Sequence, residues 1–564
     1  MAPWNNHRQE VKQEAAAPSS MTMKQMAVSM TQQAKVLPLA YAAWWSKLLR
    51  ESPEHVFVET LLIVFLVWVV WAGRKQRARL TKNAVTLSKR EVDELVAEWV
   101  PEPLVWTGNA ERESLKAEIA KRAKVVTSWG SDGSIILRNE KGVYSKKLLN
   151  CGSFAFLDAK GADAAPSKDG TSSMLSQREV SAEAARLALE KYGCGSCGPR
   201  GFYGSIDVHE KLEARVASFF GAEKAIAFSD AASCATSTIA AFAKRGDLLV
   251  VDERISEPLR TGCVLSRANV LAFKHNDVAD LEKTLTAVHK DDIKKKRAPG
   301  TQRRFVVTEA ISRDACDIAP LLEILDLASR FGYRLVVDEG LSLGVLGDTG
   351  RGIKEHLNCP QGAVDVTIVD LGPALGSVGG LCLGDDDVIE HQRLSGAGYC
   401  FSAAAPPFVS AVALAALDRL DDTNGHVAIQ NLRRNAKLLR DGLRATGLVP
   451  NVFLAPTLDN PRDDVVPVVA LALAQPQNNP TLDLATLDDL ADALAAKGFA
   501  VAVVKHGLER CFKLPSNLLP PLLNAPLALK ITTNAAHEPK QIFALCDALR
   551  TAVKHSPLQS SSHH

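Results

Sequence analysis

The sequence carries almost no excess charge, which argues against a nucleic-acid partner. Its 564 residues contain 66 Lys and Arg against 64 Asp and Glu, leaving a formal net charge of +2. The basic run at 294–297 includes no aromatic residue and is followed by Pro299 and Gly300. Because nucleic-acid surfaces cluster positive charge and interleave aromatic side chains, we predict a solvated surface loop there.

Cysteine is present but lacks the spacing of a disulfide framework or a zinc site. Of 11 cysteines, only Cys194 and Cys197 stand in a C-x-x-C pattern. A structural zinc site needs a second pair of ligands, and no other C-x-x-C occurs. We therefore predict free thiols, no bound metal, and a tightly turned glycine-rich loop around this pair.

Long hydrophobic runs are also scarce, and only residues 56–73 are apolar enough to cross a bilayer, which takes about 20 residues. A basic cluster follows at 74–79. We predict one transmembrane helix at 55–73, with the extension 1–54 on the lumenal side and the main domain in the cytosol. A buried core helix is the alternative. A secretory signal peptide is disfavoured by the mostly polar stretch that precedes the segment.

Beyond this segment, short apolar runs alternate with helical patterns. Strands are predicted at 225–228, 248–251, 270–273, 305–308 and 335–337. Such alternation is typical of a doubly wound parallel sheet with helices on both faces. A long helical region at 409–446 then leads into a smaller α+β domain with predicted strands at 465–471 and 500–504.

These patterns predict an α/β fold with two folded domains. Connecting helices occupy 74–145, a large doubly wound domain 146–412, a helix and small α+β domain 413–557, and a disordered tail 558–564.

Lysine is absent between Lys354 and Lys437, a stretch in which an enzyme that forms a Schiff base would need one. The apolar run at 334–337 reads as a buried parallel strand and ends in Asp338, at the strand end where ligands gather in open α/β sheets. A carboxylate there suits pyridoxal phosphate (PLP), whose pyridinium nitrogen needs an acidic partner. PLP enzymes also need a lysine amine for the Schiff base on a later loop.

Three segments resemble motifs of the α-oxoamine synthase family, and each has lost a cofactor contact. Residues 364–380 resemble T-x-S-K-A-x-G-x-x-G-G, with Pro373 at the lysine position. Residues 338–352 resemble D-E-A-H-S-x-G-V-x-G-x-x-G-R-G, with Leu341 in place of histidine. In 252–262, which resembles D-x-x-N-H-A-S-x-x-x-G, Ser256 replaces the ring-stacking histidine. Proline has no amine, so the resemblance implies a subunit without a catalytic residue of its own.

Residues 99–104, 192–209 and 391–402 further resemble the first long-chain-base subunit family of eukaryotic serine palmitoyltransferase. The resemblance extends over 91–537 and implies the PLP-dependent transferase fold type I. It implies a lysine-bearing second long-chain-base subunit that holds PLP covalently and condenses L-serine with palmitoyl-CoA to 3-ketosphinganine. It further implies the endoplasmic reticulum membrane, small activating subunits and Orm-type membrane regulators.

In that setting we predict that the loop 194–204 reaches into the partner's active site. Its candidate residues, with Ser342 from a neighbouring loop, are Cys197, Gly198, Arg200, Tyr203 and Ser342. Glycines allow close backbone approach, and Arg200 and Tyr203 offer donors. The alternative is that the glycines only pack tightly at the dimer interface.

The remaining candidates are structural. Asp338 is predicted to be a retained structural acid, and His209 and Glu213 are predicted to form structural hydrogen bonds. Two other functions stay open. An autonomous PLP-dependent acyltransferase would need a lysine from elsewhere, such as Lys354 or Lys437, and a purely structural subunit would only anchor its partner.

Overall fold

The structure is a computed structural model. It describes residues 61–71, 89, 93, 124–129, 134–138, 146–157, 177–298, 300–449, 451–476, 480–504 and 527–556. The predicted extension 1–54, most of the connecting segment 74–145 and the tail 558–564 lie outside the described residues. Within 74–145 the structure describes two paired strands, Val125–Trp129 and Ser134–Arg138, so the prediction of connecting helices is wrong there.

The chain divides into two units, Met1–Gly108 and Asn109–His564, and each is described by itself. In the first unit, residues 61–71 are helical with exposed side chains, and they belong to the predicted transmembrane segment 55–73. The rest of that segment lies outside the described residues. Among the residues that are described, no helix combines the length and apolarity needed to cross a membrane.

The second unit contains strands and helices in near-regular alternation. Its described strands are β1 (Val125–Trp129), β2 (Ser134–Arg138), β3 (Leu148–Asn150), β4 (Lys224–Phe228), β5 (Leu248–Asp252), β6 (Asn269–Phe273), β7 (Arg304–Glu309), β8 (Arg334–Asp338), β9 (Val366–Asp370), β10 (Gly380–Gly384), β11 (Phe453–Leu454), β12 (Val468–Leu473), β13 (Phe499–Ala500), β14 (Ala502–Val504) and β15 (Ala528–Thr532).

Its described helices are α1 (Gln177–Tyr192), α2 (Asp207–Phe220), α3 (Ala231–Phe242), α4 (Glu257–Ser266), α5 (Val278–Lys295), α6 (Leu321–Phe331), α7 (Ile353–His356), α8 (Gly372–Leu375), α9 (Asp386–Ser395), α10 (Ala397–Cys400), α11 (Pro407–Leu420), α12 (Thr423–Ala445), α13 (Pro480–Ala496) and α14 (Pro539–Lys554).

A seven-stranded sheet, in the order β4-β10-β9-β8-β7-β5-β6, forms the centre of the second unit. Strands β5 to β9 pair in parallel, as the apolar runs predict. Strand β10 runs antiparallel to both β4 and β9, so the sheet is mixed and the prediction of a wholly parallel sheet is wrong at this strand. The connection at 371–379 is too short for the crossover of about a dozen residues that a parallel neighbour requires.

The predicted long helix at 409–446 is two helices. Helix α11 ends at Leu420 and α12 begins at Thr423. The Asp422 carboxylate accepts a hydrogen bond from the Gly425 backbone nitrogen at 2.9 Å and so caps the second helix. The capping residue starts a new helix and allows the chain to change direction.

Two smaller sheets flank the central one. The first has the order β1-β2-β3-β13 and the second β11-β12-β15-β14. The predicted strand at 500–504 contributes to both, because β13 pairs with β3 while β14 pairs with β15. This division brings the end of β14 and the strand β15 towards the residues that follow β3, including Gly152 and Phe154.

Candidate functional site

A cavity of about 600 Å³ lies at the carboxyl ends of β8 and β9. The strands contribute Asp338 and Asp370, and helix α3 begins beside them at Asp230. The small sheet adds Lys530 from β15, and the loop after β7 adds Arg313. Parallel strands with a helix amino terminus between them are the usual setting for a phosphate-bearing ligand in open α/β sheets.

Two acids stand beside this cavity, the buried Glu309 and the partly buried Asp338. Burial raises the pKa of Asp338, and the Arg313 cation and the Gly340 amide only partly oppose it. Burial, and then the neighbouring Asp338, raise the pKa of Glu309 to about 8. The Glu309 carboxyl accepts from the backbone nitrogens of Ser256 at 3.2 Å and Arg313 at 3.1 Å, so it ties together two loops of the cavity wall.

Glu309→Gln is expected to flatten the dependence of stability on pH. Because the pKa of Glu309 is raised above its ordinary value of 4.5 to about 8, the fold favours the protonated acid, and the free energy of unfolding falls as pH rises through that window. Glutamine imitates the protonated acid and removes this fall. Unfolding measured between pH 4.5 and 8 tests it, with the exposed Glu323→Gln as control. An unchanged slope in Glu309→Gln would contradict the assignment.

The three residues that depart from the motifs at predicted cofactor contacts do not all line the cavity. One lies in the cavity wall and the other two are packed inside the protein. Ser256 lines the cavity and is buried at the start of α4. Leu341 is part of the main hydrophobic core. Pro373 is buried in the short helix α8, and its carbonyl accepts from the Phe156 nitrogen at 2.8 Å. At the predicted lysine position the chain therefore packs a proline.

Lys530 is the lysine among the residues that line the cavity, and sequence reasoning did not single it out. Its buried ammonium donates to the Arg313 carbonyl and lies 5.8 Å from the centre of the Phe154 ring. The two lysines considered as alternatives lie elsewhere. Lys354 lies over the Phe220 ring, and Lys437 pairs with Asp441 and Asp464 on the surface.

The glycine-rich loop 194–204 lies outside the residues that line this cavity. The backbone of Cys197 has a positive φ of 56°, and residues Arg200–Gly204 form a single wide turn. The Gly198 carbonyl accepts from the Ala404 nitrogen at 2.9 Å, which joins the loop to the segment after α10. A Cβ on Gly204 would overlap the Gly198 and Pro199 backbone, so only glycine fits there.

Arg200 is buried within the chain, which differs from the expectation of a donor offered to a partner. Its guanidinium forms a two-pronged ion pair with Glu213 at 2.8 and 3.1 Å, and its Nε donates to Ser205 at 3.0 Å. It also stacks on Tyr399, 5.6 Å from the ring centre. Glu213 in turn accepts from the Ala227 nitrogen at 2.8 Å. Arg200 therefore fixes the loop to α2 and β4.

Other predicted site residues also have internal roles. The Ser342 side chain is fully buried and donates to the Glu339 carbonyl at 3.1 Å and to the Glu339 carboxylate. His209 contacts the Ile206 nitrogen at 3.2 Å and the Ala405 carbonyl at 2.8 Å. The predicted structural hydrogen bonds of His209 and Glu213 are confirmed.

By contrast, several apolar side chains around this loop face outward. Tyr203 is 94% exposed and Phe202 is 71% exposed. Leu394 and Phe401, from the segment 391–402, are 83% and 86% exposed. Large apolar side chains exposed together near one loop mark a surface for another molecule. The two segments 192–209 and 391–402 meet here through the Tyr399 ring, on which both Arg200 and Arg393 stack.

Comparison with known proteins identifies the family. The family model for aminotransferase class I and II matches residues 170–549. Long chain base biosynthesis protein 1 of Arabidopsis thaliana is 32% identical over 531 residues, which cover 92% of this chain and 97% of that protein. The chain belongs to the family of long chain base biosynthesis protein 1. Serine palmitoyltransferase 1 of Dictyostelium discoideum, a relative in the same family, is 32% identical over 76% of this chain and 80% of its own length.

The solved structures agree with the fold of this long-chain-base family member. A serine palmitoyltransferase from S. paucimobilis, with a bound PLP–myriocin aldimine, matches with a TM-score of 0.62 and 26% identity. The match covers 79% of this chain and 96% of that one. The chain thus has the PLP-dependent fold type I with mixed α/β structure.

The cavity of this family member does not fit PLP, although the fold does. The Asp230 carboxylate caps α3 and accepts from the Ser233 nitrogen at 2.7 Å, which places a negative charge where a helix amino terminus would receive phosphate. Arg313 already supplies a cation beside Asp338. Pro373 stands at the position where the motif predicts the lysine. Phosphate would meet the Asp230 carboxylate, the ring nitrogen would meet the Arg313 cation, and the cavity lysine Lys530 already donates to the Arg313 carbonyl.

Proposed function

We propose that this chain is the cofactor-free subunit of a heteromeric serine palmitoyltransferase. Its partner would be a second long-chain-base subunit that carries the Schiff-base lysine and holds PLP. The pair would condense L-serine with palmitoyl-CoA to 3-ketosphinganine, releasing CO2 and CoA. The observation that carries the proposal is Pro373, buried at the lysine position beside a cavity whose strands and helices are otherwise retained.

The exposed turn supplies the second support. Fold type I enzymes work as dimers with their active sites at the subunit interface, so a subunit without its own cofactor can still complete a neighbouring site. Phe202 and Tyr203 project from a turn that Arg200 anchors to the core. In this proposal Tyr203, with the Cys197 and Gly198 backbone, borders the partner's site, and Arg200 positions the turn without touching substrate.

Residues 55–73 complete the proposal as a membrane anchor. With a basic cluster following the segment, the positive-inside rule places the second unit in the cytosol. The endoplasmic reticulum, small activating subunits and Orm-type regulators are the corresponding proposals for location and partners.

Absorbance of the purified protein, with and without its partner, tests the proposal. The chain alone, incubated with PLP and freed of excess cofactor, is expected to show no Schiff-base absorption, which appears once the lysine-bearing partner is present. A Schiff-base band of the isolated chain would contradict the proposed division of roles.

A subunit that only anchors its partner is the second candidate function. It is favoured by the internal roles of Arg200 and Ser342, two of the residues predicted to reach the partner's site. The exposed Tyr203 separates the two functions, because its side chain makes no such hydrogen bond or ion pair with the described residues.

Tyr203→Ala is expected to lower kcat/KM of the assembled enzyme about tenfold, the effect of removing one buried aromatic anchor from an interface. Because Tyr203 is 94% exposed, the thermal unfolding of the isolated chain should not change. Phe543→Ala is the matched control, since Phe543 is an exposed aromatic on α14, 52% exposed. Normal assembly with normal kinetics in Tyr203→Ala would favour the anchor-only function.

A further inference from the structure

Arg313 lines the cavity, although it lies outside the three segments that resemble the family motifs. Its Nη2 atom lies 3.2 Å from the Asp370 carboxylate, and its guanidinium stacks on Phe154, 5.7 Å from the ring centre. Burial alone would lower the pKa of Arg313, but Asp338, Asp370 and Glu309 together outweigh it and raise the pKa. The guanidinium is therefore a cation paired with Asp370 and close in charge to Asp338, while Glu309 accepts only from the Arg313 backbone nitrogen.

Two departures from the α-oxoamine synthase motifs make room for this cation. Asp370 stands where T-x-S-K-A has threonine, and Gly340 stands where D-E-A-H has alanine. A Cβ on Gly340 would lie 3.3 Å from Arg313 Nη2, 2.8 Å from Asp338 Oδ1 and 3.2 Å from Asp370 Cβ. Alanine would thus crowd the point around which these three side chains meet. Both departures are explained by the presence of Arg313.

This arrangement opposes a pyridine cofactor electrostatically. A protonated pyridine nitrogen needs Asp338 as its counter-charge, but Arg313 already places a cation beside this carboxylate. A second cation at short range would be repelled by the Arg313 guanidinium.

We propose that Arg313, held by Asp370 and Asp338, is a built-in counter-cation that closes this chain's own cavity to PLP. The inference rests on the proposed function and deepens it, because it predicts that the missing lysine is not the only barrier. Restoring a lysine at position 373 alone leaves the cavity without cofactor. The acids that would otherwise stand unpaired are stabilised by Arg313.

Borohydride reduction followed by peptide mapping tests this in the assembled two-subunit enzyme, because labelled peptides distinguish position 373 from the partner's lysine. Pro373→Lys alone is expected to acquire no pyridoxyl group at position 373. Pro373→Lys combined with Arg313→Met and Asp370→Thr is expected to label that position at least about tenfold more. Pro373→Lys with Arg313→Lys, which keeps a cation, is the matched control and should remain unlabelled.

Labelling of Pro373→Lys at position 373 would overturn the inference, and so would a folded triple variant that stays unlabelled. If the triple variant does not fold, equilibrium dialysis of PLP against Arg313→Gln and the wild-type chain decides, and equal retention would overturn it. None of these results bears on the proposed function, which would fail instead if the unaltered chain were labelled on Lys530.

Discussion

Arg200→Met is expected to lower the free energy of unfolding of the chain by about 3 kcal/mol, the lower end of the range for breaking a buried ion pair. The side chains of Arg200 and Glu213 are 5% and 7% exposed, so the substitution leaves a carboxylate away from water. Arg393, 3.7 Å from Glu213, compensates for part of the lost charge and keeps the loss from being larger. Methionine retains the apolar stem, so the change isolates the guanidinium.

Arg186→Met is the control for this experiment. Arg186 pairs with both Glu183 and Glu190, so a count of ion pairs would give it the larger effect. All three side chains are exposed, and such pairs contribute little because water and salt screen them. Thermal or urea unfolding of the purified chain compares the two. Equal effects in the two variants would show that burial of the Arg200–Glu213 pair is not what stabilises the loop.

His275→Gln is expected to remove a fall in stability that the chain otherwise shows on raising the pH towards 10. The imidazole lies between Asp252, 2.8 Å from Nδ1, and Asp317, 3.0 Å from Nε2. Burial alone would lower the pKa of His275, but the hydrogen bonds to the two carboxylates outweigh it and raise the pKa to about 10. Both ring nitrogens then donate, and the imidazolium ties the end of β5 to the loop that carries Arg313.

The chain is expected to lose stability with rising pH because folding raises the pKa of His275. A histidine whose pKa is raised by folding stabilises the protein fully below its unfolded pKa of about 6.5, and this contribution is lost as the pH rises through 10. A shift of this size corresponds to a few kcal/mol. Well above pH 8 Glu309 is ionised in both the folded and unfolded states and no longer contributes to the slope, so the upper end of the range isolates His275 from it.

Unfolding of the wild-type chain and His275→Gln across pH 6 to 10 measures the effect, with His289→Gln as control. His289 is an exposed residue on α5 that contacts Phe331, so its replacement should preserve the wild-type slope. If His275→Gln and the wild-type chain lost stability in parallel up to pH 10, the imidazolium bridge would be refuted.

The sequence was sufficient to predict the elements that are marked by apolar runs. The strands at 225–228, 248–251 and 305–308 appear within a residue or two of their predicted ends. Buried parallel strands are uniformly apolar, so composition alone locates them. Strand β10 was not predicted, because Gly380–Gly384 is short and bounded by glycines and its direction depends on the length of the connection before it.

Some residues of the candidate cofactor site could likewise be predicted from the sequence, and others could not. Pro373, Leu341 and Ser256 could be found from the sequence, because each interrupts a recognisable motif. Arg313 and Lys530 could not, because they are 217 residues apart and meet only when β15 approaches the large sheet. Asp370 and Gly340 were a usable signal, since both depart from the motifs. Arg200 was expected to offer a donor to the partner's site, but Glu213 on α2 binds it internally.

Borohydride reduction and peptide mapping of the unaltered two-subunit enzyme test the central claim most directly. The chemistry is assigned to the partner, and Lys530 is the lysine of this chain that lines the cavity. The account predicts one pyridoxyl-labelled peptide, from the lysine-bearing partner, and no labelled lysine in this chain. A pyridoxyl group on Lys530, or on any other lysine of this chain, would contradict it.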